Sequence, residues 1–177
     1  MMDVTPLNIK PSAINEEMYL ETYGGIYEHS PWIAQAAWET QTREALDTVG
    51  GLHQQMMLAV ATASKAAKTK LICAHPDLAG KLAVNNALTP ESKSEQAGAG
   101  LDKCSAEEFT EFRSLNANYK EKFGFPFIIA VKGHDRQSIL SNFRARINNT
   151  REIEFNTALQ EIDKIALIRL QALTENT

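Results

Sequence analysis

The stretch Cys73-Ala74-His75-Pro76-Asp77-Leu78-Ala79-Gly80-Lys81 follows a long helical pattern of apolar residues and ends it. Proline disfavours helical geometry in the residue before it, so we expect His75 at the end of a helix with its ring turned away from the helix wall. Asp77 can cap whatever structure restarts after it, and Gly80 permits a close approach or a sharp bend. A single histidine at a helix end is more often packed or solvated than catalytic, so this stretch alone leaves both interpretations open.

The segment before this stretch carries an apolar stripe at helical spacing. Its residues recur every three or four positions: Leu52, Met56, Val60, Ala63, Ala67 and Leu71. This spacing predicts a buried helical face that leads directly into His75. Residues 1–14, with two prolines, are expected to form an irregular lead before a single helical domain over residues 15–177.

Helix start and stop signals recur along most of the chain. Capping residues precede helical patterns at five places, namely Asn15, Ser30, Thr89, Ser105 and Thr150, and a further helix is expected from about Asp135 to Ile147. Only the apolar run at residues 125–131 reads as a short extended segment. The expected fold is therefore all-α, a compact single-domain multi-helix bundle.

Length and composition are those of one ordinary globular domain. The chain has 177 residues, 44% of them hydrophobic and 23% charged, and a net charge of −4. No run approaches the roughly 18 apolar residues of a membrane span, the N-terminus lacks a signal pattern, and the C-terminus is no peroxisomal address. The two cysteines, Cys73 and Cys104, form neither a disulfide framework nor a CxxC metal motif. We expect a cytoplasmic protein with no nucleic-acid or membrane partner.

The charges are unevenly distributed along the chain. Residues 1–48 carry eight acidic and two basic side chains, whereas residues 113–151 carry eight basic and two acidic ones. A basic run of this kind is usually a solvated helix face. It is also compatible with a field that draws small anions toward a cleft, or with complementary halves that meet in a symmetric dimer.

Two further sets of polar residues are hard to explain as surface. Ser92, Glu95 and Gln96 are spaced to share one face of a short helix. Arg169 falls in the middle of the apolar stripe of the last helix, where a buried guanidinium needs an anionic partner. That partner is either a protein carboxylate, for which Glu95 is the candidate, or an anionic ligand.

The extended segment adds backbone groups to this polar set. An extended chain without a sheet partner has N–H and C=O groups that must bind side chains, water or a ligand. The sequence contains no Gly-rich phosphate loop, no GxSxG and no HExxH motif, and its other histidines are scattered. What remains suits the binding of a small, planar, anionic molecule and the transfer of one proton.

Several strings, in combination and order, resemble one enzyme family. They are His75-Pro76-Asp77-Leu78-Ala79-Gly80, Ser92-Lys93-Ser94-Glu95-Gln96 before Gly98-Ala99-Gly100-Leu101, Leu115-Asn116-x-x-Tyr119, Phe123-Gly124-Phe125-Pro126-Phe127-Ile128, Ile165-Ala166-Leu167-Ile168-Arg169-Leu170, and Gly24-Gly25-Ile26-Tyr27-Glu28-His29-Ser30-Pro31-Trp32. The chain resembles the OHCU decarboxylases, the 2-oxo-4-hydroxy-4-carboxy-5-ureidoimidazoline decarboxylases of urate breakdown. The similarity spans nearly everything after the first dozen residues.

The resemblance implies an all-helical homodimeric enzyme that uses no metal or organic cofactor and converts its substrate to (S)-allantoin and carbon dioxide. Carried over by position, it makes His75 the proton donor and assigns Arg169 to the anionic groups of the substrate, with Glu95 also in the catalytic set. It places further residues at the substrate, namely Pro76, Ser92, Glu95, Gln96 and the backbone of Phe127, Ile128, Ile129, Ala130 and Val131.

Two other functions remain open at this stage. A small helical scaffolding module could use the basic region of residues 113–151 to bind an acidic partner. A related cofactor-free enzyme could act on another ureide or purine derivative. The decarboxylase interpretation differs from the scaffold in requiring His75, Glu95 and Arg169 to converge in one pocket.

Overall fold

The structure is a computed structural model, and it describes residues 3–40, 42–79 and 88–175. Within these residues it contains eight α-helices: α1 (Glu16–Tyr23), α2 (Trp32–Thr40), α3 (Val49–Thr62), α4 (Lys65–Cys73), α5 (Pro90–Gly98), α6 (Ala106–Phe123), α7 (Arg136–Arg146) and α8 (Arg151–Glu175). Short 3-10 turns cover Pro11–Ala13, Arg43–Leu46 and Leu101–Lys103. The described residues form no strand, only one isolated bridge between Pro6 and Thr48. The prediction of an all-α fold is confirmed.

Several helix boundaries follow from the capping residues that the sequence shows. The Asn15 side chain accepts a hydrogen bond from the Met18 N–H at 2.9 Å and caps α1. Ser105 and Glu108 form the reciprocal capping box of α6. That helix ends at Gly124, whose φ of +80° lies in the left-handed region that glycine adopts without strain.

The stripe that leads to His75 belongs to two helices and not to one. Ala63 is extended, with a ψ of 154°, and the Ser64 hydroxyl caps α4 by accepting the Ala67 N–H at 3.2 Å. A serine side chain satisfies the first amides of a new helix, so the chain turns here before the pattern resumes. The second helix ends at Cys73, as the proline after His75 predicts. Gly80 and Lys81, for which the sequence predicted a close approach or bend, lie outside the described residues.

The chain divides into two compact units. Unit 1 comprises Met1–Ala74 and Asp163–Thr177, and unit 2 comprises His75–Ile162. The expectation of one helical domain over residues 15–177 stays a prediction. In the part of the chain that the structure describes, no helix is long and apolar enough to cross a membrane.

Unit 1 is organised around buried aromatic side chains of its first two helices. The Tyr19 ring lies 4.6 Å from the Trp38 ring and 5.3 Å from the Tyr23 ring, measured between centroids. The Tyr19 hydroxyl donates to the Ala34 carbonyl at 3.1 Å, so burial leaves this polar end satisfied. Burial raises the pKa of Tyr23 to about 12.

Unit 2 is organised around a second aromatic cluster. The Phe127 and Phe143 rings stack with centroids 3.9 Å apart, and Tyr119 meets both rings edge-on at 5.4 and 5.7 Å. Stacked and edge-to-face pairs are the favoured aromatic geometries. This cluster joins α6 and α7 to the start of the segment at residues 127–131, which belongs to no helix.

Candidate active site

His75 is the first residue of unit 2 and lies two residues beyond the end of α4. It is 8% exposed, so its imidazole does not stand in bulk water. The residue after it, Pro76, is half-buried. We call residues 75–79 the His75 segment. Side chains of neighbouring helices hold its backbone in place.

Two neutral side chains bind the backbone of the His75 segment. The Gln96 amide oxygen accepts the Ala79 N–H at 3.1 Å, and its nitrogen donates to the Asp77 carbonyl at 3.4 Å. The Asn116 amide nitrogen donates to the Leu78 carbonyl at 2.9 Å. Three consecutive residues after Pro76 are thus fixed from α5 and α6.

Ala79 has a backbone conformation that alanine rarely adopts. Its φ is +47°, in the left-handed region that costs a residue with a Cβ about 1–2 kcal/mol. The bond from its N–H to Gln96 helps to hold this conformation. Strained residues persist where the surroundings determine the backbone, and they concentrate at functional sites.

The predicted face of the short helix is present in α5. Ser92 and Gln96 are buried and Glu95 is half-buried, as expected for residues that share one inward face. Thr89 caps this helix through the Ser92 N–H at 3.3 Å. The bonds from Gln96 bring α5 against the His75 segment, so these two predicted parts of the site are adjacent.

The five residues 127–131, which we call the Phe127 segment, are all buried. The Ile128 carbonyl accepts from Arg146 at 2.7 Å, and the Ala130 N–H donates to the Glu161 carboxylate at 2.8 Å. The Val131 carbonyl accepts the His134 N–H in a turn. Within residues 3–40, 42–79 and 88–175, the N–H and C=O of Ile129 have no hydrogen-bond partner. The prediction of unpaired backbone groups therefore holds for Ile129, whereas Arg146 and Glu161 each pair one backbone group of its neighbours, the Ile128 carbonyl and the Ala130 N–H.

A buried polar network supports this segment. Glu154, which is 0% exposed, accepts from two nitrogens of Arg146 at 2.9 and 3.1 Å, from Asn149 at 2.8 Å and from the Tyr119 hydroxyl. Burial and the bond to this carboxylate raise the pKa of Tyr119 far above its usual value. The carboxylate is saturated with donors, as a buried charge must be.

The charge pattern of residues 113–151 predicts a solvated basic face. Most of these basic side chains form ion pairs or hydrogen bonds inside unit 2. The cations of this run contact carboxylates of the residue 75–79 segment and of neighbouring helices in the ion pairs Lys120–Asp77, Arg136–Glu108, Arg144–Glu111 and Arg146–Glu154. Two more donate to backbone carbonyls, Lys122 to Ile147 and Arg151 to Phe123. These contacts give the run a structural role, which the sequence pattern alone did not indicate.

Arg169 belongs to unit 1 and is 7% exposed, as its place in the apolar stripe predicted. Its Nη1 lies 2.9 Å from the Glu28 carboxylate and donates to the Ile26 carbonyl at 3.3 Å. Sequence reasoning named Glu95 as the candidate carboxylate and missed Glu28. The only available signal was that Glu28 falls inside the short string 24–32 that carries the family resemblance.

Unit 1 holds a second, half-buried carboxyl group that bonds to this string. The Tyr27 hydroxyl donates to the Asp163 carboxylate at 2.9 Å, and His53 contacts the Asp163 carbonyl at 2.9 Å. Burial raises the pKa of Asp163 above its usual value, against the opposing effect of the Tyr27 bond. In the described part of the chain, no group of three or more His, Cys, Asp or Glu side chains is arranged to hold a metal.

Known proteins are similar to this chain in sequence and fold. A family model described as OHCU decarboxylase matches residues 12–171. The 2-oxo-4-hydroxy-4-carboxy-5-ureidoimidazoline decarboxylase of Halalkalicoccus jeotgali is 40% identical over 160 residues, covering 90% of this chain and 87% of the relative. The protein of the same name from Haloferax volcanii is 36% identical over 157 residues, covering 89% of each chain.

A solved structure is also similar to this chain. The crystal structure of an (S)-allantoin synthase superimposes with a TM-score of 0.73 at 31% identity. The match covers 91% of this chain and 51% of that one, so the chain corresponds to about half of the longer protein. The family match spans every residue of the predicted site, from His75 to Arg169. The chain therefore belongs to the OHCU decarboxylase family.

Proposed function

We propose that this protein decarboxylates 2-oxo-4-hydroxy-4-carboxy-5-ureidoimidazoline, OHCU, to (S)-allantoin and carbon dioxide in urate degradation. The observation that carries the proposal is the family match over residues 12–171, together with a relative of that name at 40% identity. The local structure supports it, because His75 is buried and the backbone after it is held by hydrogen bonds and strained at Ala79, where the chemistry needs a fixed side chain.

The reaction requires the protein to manage one electron pair and one proton. The bond between the carboxylate and the ring carbon that also bears the hydroxyl breaks, carbon dioxide leaves, and the electron pair passes toward the adjacent C=N bond, which gives an enol with negative charge on the ring nitrogen. The hydroxyl proton moves to that nitrogen as the ring carbonyl forms, His75 donates a proton to one face of the neighbouring carbon that bears the ureido group, and water reprotonates the imidazole. General acid catalysis of this kind is typically worth about 10²- to 10⁴-fold in rate.

Substrate binding is proposed to divide among three groups of residues. Arg169 binds anionic groups of the substrate, and peptide groups of the Phe127 segment bind its polar edge and stabilise the developing charge. Glu95 and Gln96, with Ser92 and Pro76 beside them, hold the ureido and ring N–H groups. The Gln96 oxygen accepts from Ala79 and still has a second lone pair for a substrate N–H.

The direct test is circular dichroism of freshly generated OHCU with and without the protein. Uncatalysed protonation reaches both faces of the ring carbon that bears the ureido group and gives a racemic product, whereas a single fixed acid gives one enantiomer. We expect rapid formation of optically active allantoin in the presence of the protein. An unchanged rate of OHCU loss and a racemic product would rule out the proposed activity.

Arg169 can be tested without leaving its buried partner charged. Because Arg169→Met alone would remove the ion-pair partner of the buried Glu28 carboxylate and could destabilise the fold by about 3–5 kcal/mol, the test variant combines Arg169→Met with Glu28→Gln. Loss of charge-assisted bonds to the substrate should lower kcat/KM about 10- to 100-fold. Glu28→Gln alone is the control, since it keeps the guanidinium. A folded double variant with unchanged kcat/KM would show that Arg169 does not bind substrate.

We further propose that the protein is a homodimer in the cytoplasm. Both expectations rest on the family resemblance and on the sequence composition. Light scattering coupled to size exclusion chromatography measures the dimer directly, and a mass of 19.6 kDa would identify a monomer instead. Fractionation of the source cells tests the compartment.

A further inference from the structure

Two charged side chains bind the backbone of the Phe127 segment, one at residue 128 and one at residue 130. Arg146 binds the carbonyl of Ile128, and Glu161 binds the N–H of Ala130, both through short charge-assisted hydrogen bonds of 2.7 and 2.8 Å. These two side chains therefore hold the residues directly before and after Ile129.

Ile129 lies between these two bound residues. This residue is 6% exposed, and neither its N–H nor its C=O has a hydrogen-bond partner within the three described ranges. Buried backbone groups are paired in more than about nine cases out of ten, because an unpaired one loses its bonds to water without replacement. A donor and an acceptor on one residue, buried side by side, are an edge on which a planar ligand can form two hydrogen bonds.

Further contacts hold the Arg146 side chain in place. The Arg146 guanidinium lies 4.4 Å from the Phe127 ring centroid and pairs with the fully buried Glu154 while it binds Ile128. Glu154 is in turn bonded to Tyr119 and Asn149. The rigid guanidinium of Arg146 therefore connects the core of unit 2 to the backbone of the Phe127 segment.

We infer that Arg146 and Glu161 are positioning residues that hold the Ile129 N–H and C=O toward a donor and acceptor edge of the substrate, such as that of a ureide. This inference rests on the proposed function and adds to it two residues that reach the substrate only through the backbone. Hydrogen-bonding positions fixed in this way discriminate against ligands that lack one of the two groups.

Glu161 offers the sharpest test, because two substitutions separate its acceptor from its charge. Glu161→Gln keeps an oxygen that accepts the Ala130 N–H, and we expect its KM for OHCU to stay within about threefold of the parent protein. Glu161→Leu removes the acceptor, and we expect KM to rise about 10-fold with a smaller change in kcat, as for loss of one positioning bond. Hydrogen exchange should show loss of protection at the Ala130 amide only in the leucine variant.

Asn149→Ala is the matched structural control. It removes a bond to Glu154 from the same network, but Asn149 has no contact with the Phe127 segment in the described hydrogen bonds. We expect it to lower the melting temperature while leaving KM unchanged. Arg146→Lys is a second probe, since lysine cannot span Glu154 and Ile128 together, and it should raise KM as the leucine variant does.

The outcomes separate the inference from the function on which it rests. If the parent protein converts OHCU and Glu161→Leu leaves KM unchanged, or changes it no more than Asn149→Ala does, the positioning role is wrong and the decarboxylase function stands. If the parent protein leaves OHCU unconverted, the function fails, and the substrate assignment of the Ile129 edge fails with it.

Discussion

The His75 segment and the Phe127 segment, both in unit 2, are held in opposite ways. In the first, neutral amides of Gln96 and Asn116 bind the backbone, and the proposed functional group is a side chain. In the second, charged side chains of Arg146 and Glu161 bind the backbone, and the proposed functional groups are peptide groups. A segment that offers a side chain can be held through its backbone. A segment that offers its backbone must keep some of its peptide groups available for the ligand.

The largest effect should come from removing the side chain that the first segment presents. We expect His75→Ala to lower kcat by about 10²- to 10⁴-fold with folding intact, because the proton donor is lost. Ile129→Val, in the second segment, should keep activity within a few-fold, since its peptide groups remain, and should cost about 0.5–1.5 kcal/mol of stability. Rates of optically active allantoin formation and thermal melts measure both.

His29 provides a control histidine for this comparison. His29 is exposed and has a φ of +47°, a conformation that asparagine tolerates, so His29→Asn should leave both rate and stability unchanged. Equal activity losses in the His75 and Ile129 variants would remove the distinction between a side-chain segment and a backbone segment.

The next largest effect concerns the charged support of the second segment. Glu154→Gln leaves the half-buried Arg146 without its fully buried counter-charge, and we expect the free energy of unfolding to fall by about 3–5 kcal/mol in urea titrations. Glu111→Gln is the matched control in the same unit, because it removes the carboxylate of the exposed pair with Arg144. Solvent screening should make the control effect small. Similar losses in the two variants would mean that burial is not what gives this pair its importance.

The smallest effect concerns the neutral support of the first segment. Asn116→Ala leaves the buried Leu78 carbonyl unpaired, at an expected cost of about 1–3 kcal/mol, and should lower kcat several-fold through displacement of His75. Lys120→Met, one turn along the same helix, removes only the partly exposed ion pair with Asp77 and should cost about 0–1 kcal/mol. A kcat that falls in Lys120→Met and stays unchanged in Asn116→Ala would show that the ion pair, and not the amide, holds the segment.

Features that depend on neighbouring residues were predictable from the sequence. The caps at Asn15, Thr89 and Ser105 and the end of α4 before His75 follow from side chains within about four residues of each boundary. The division into α3 and α4 was missed although Ser64 is a readable cap, because the apolar spacing continued across it. Arg169 was correctly expected to be buried for the same local reason, its place in the stripe.

The supports of the site were not predictable in the same way. Glu28 and Arg169 are separated by most of the chain, and Arg146 reaches Ile128 across a turn and a helix. Such contacts depend on how helices pack, which no local spacing encodes. For this reason the sequence indicated that the Phe127 segment needs partners but could not name Arg146 and Glu161 as two of them.

The guanidinium of Arg146 makes the site sensitive to changes in the hydrophobic core. Because it lies over the Phe127 ring, which stacks on Phe143 and meets Tyr119, a substitution at either of those rings should displace the side chain that holds the Ile128 carbonyl. A selection for growth on urate would therefore register these core positions as functional hits. Only a comparison of activity with the amount of folded protein would distinguish them from residues that touch the ligand.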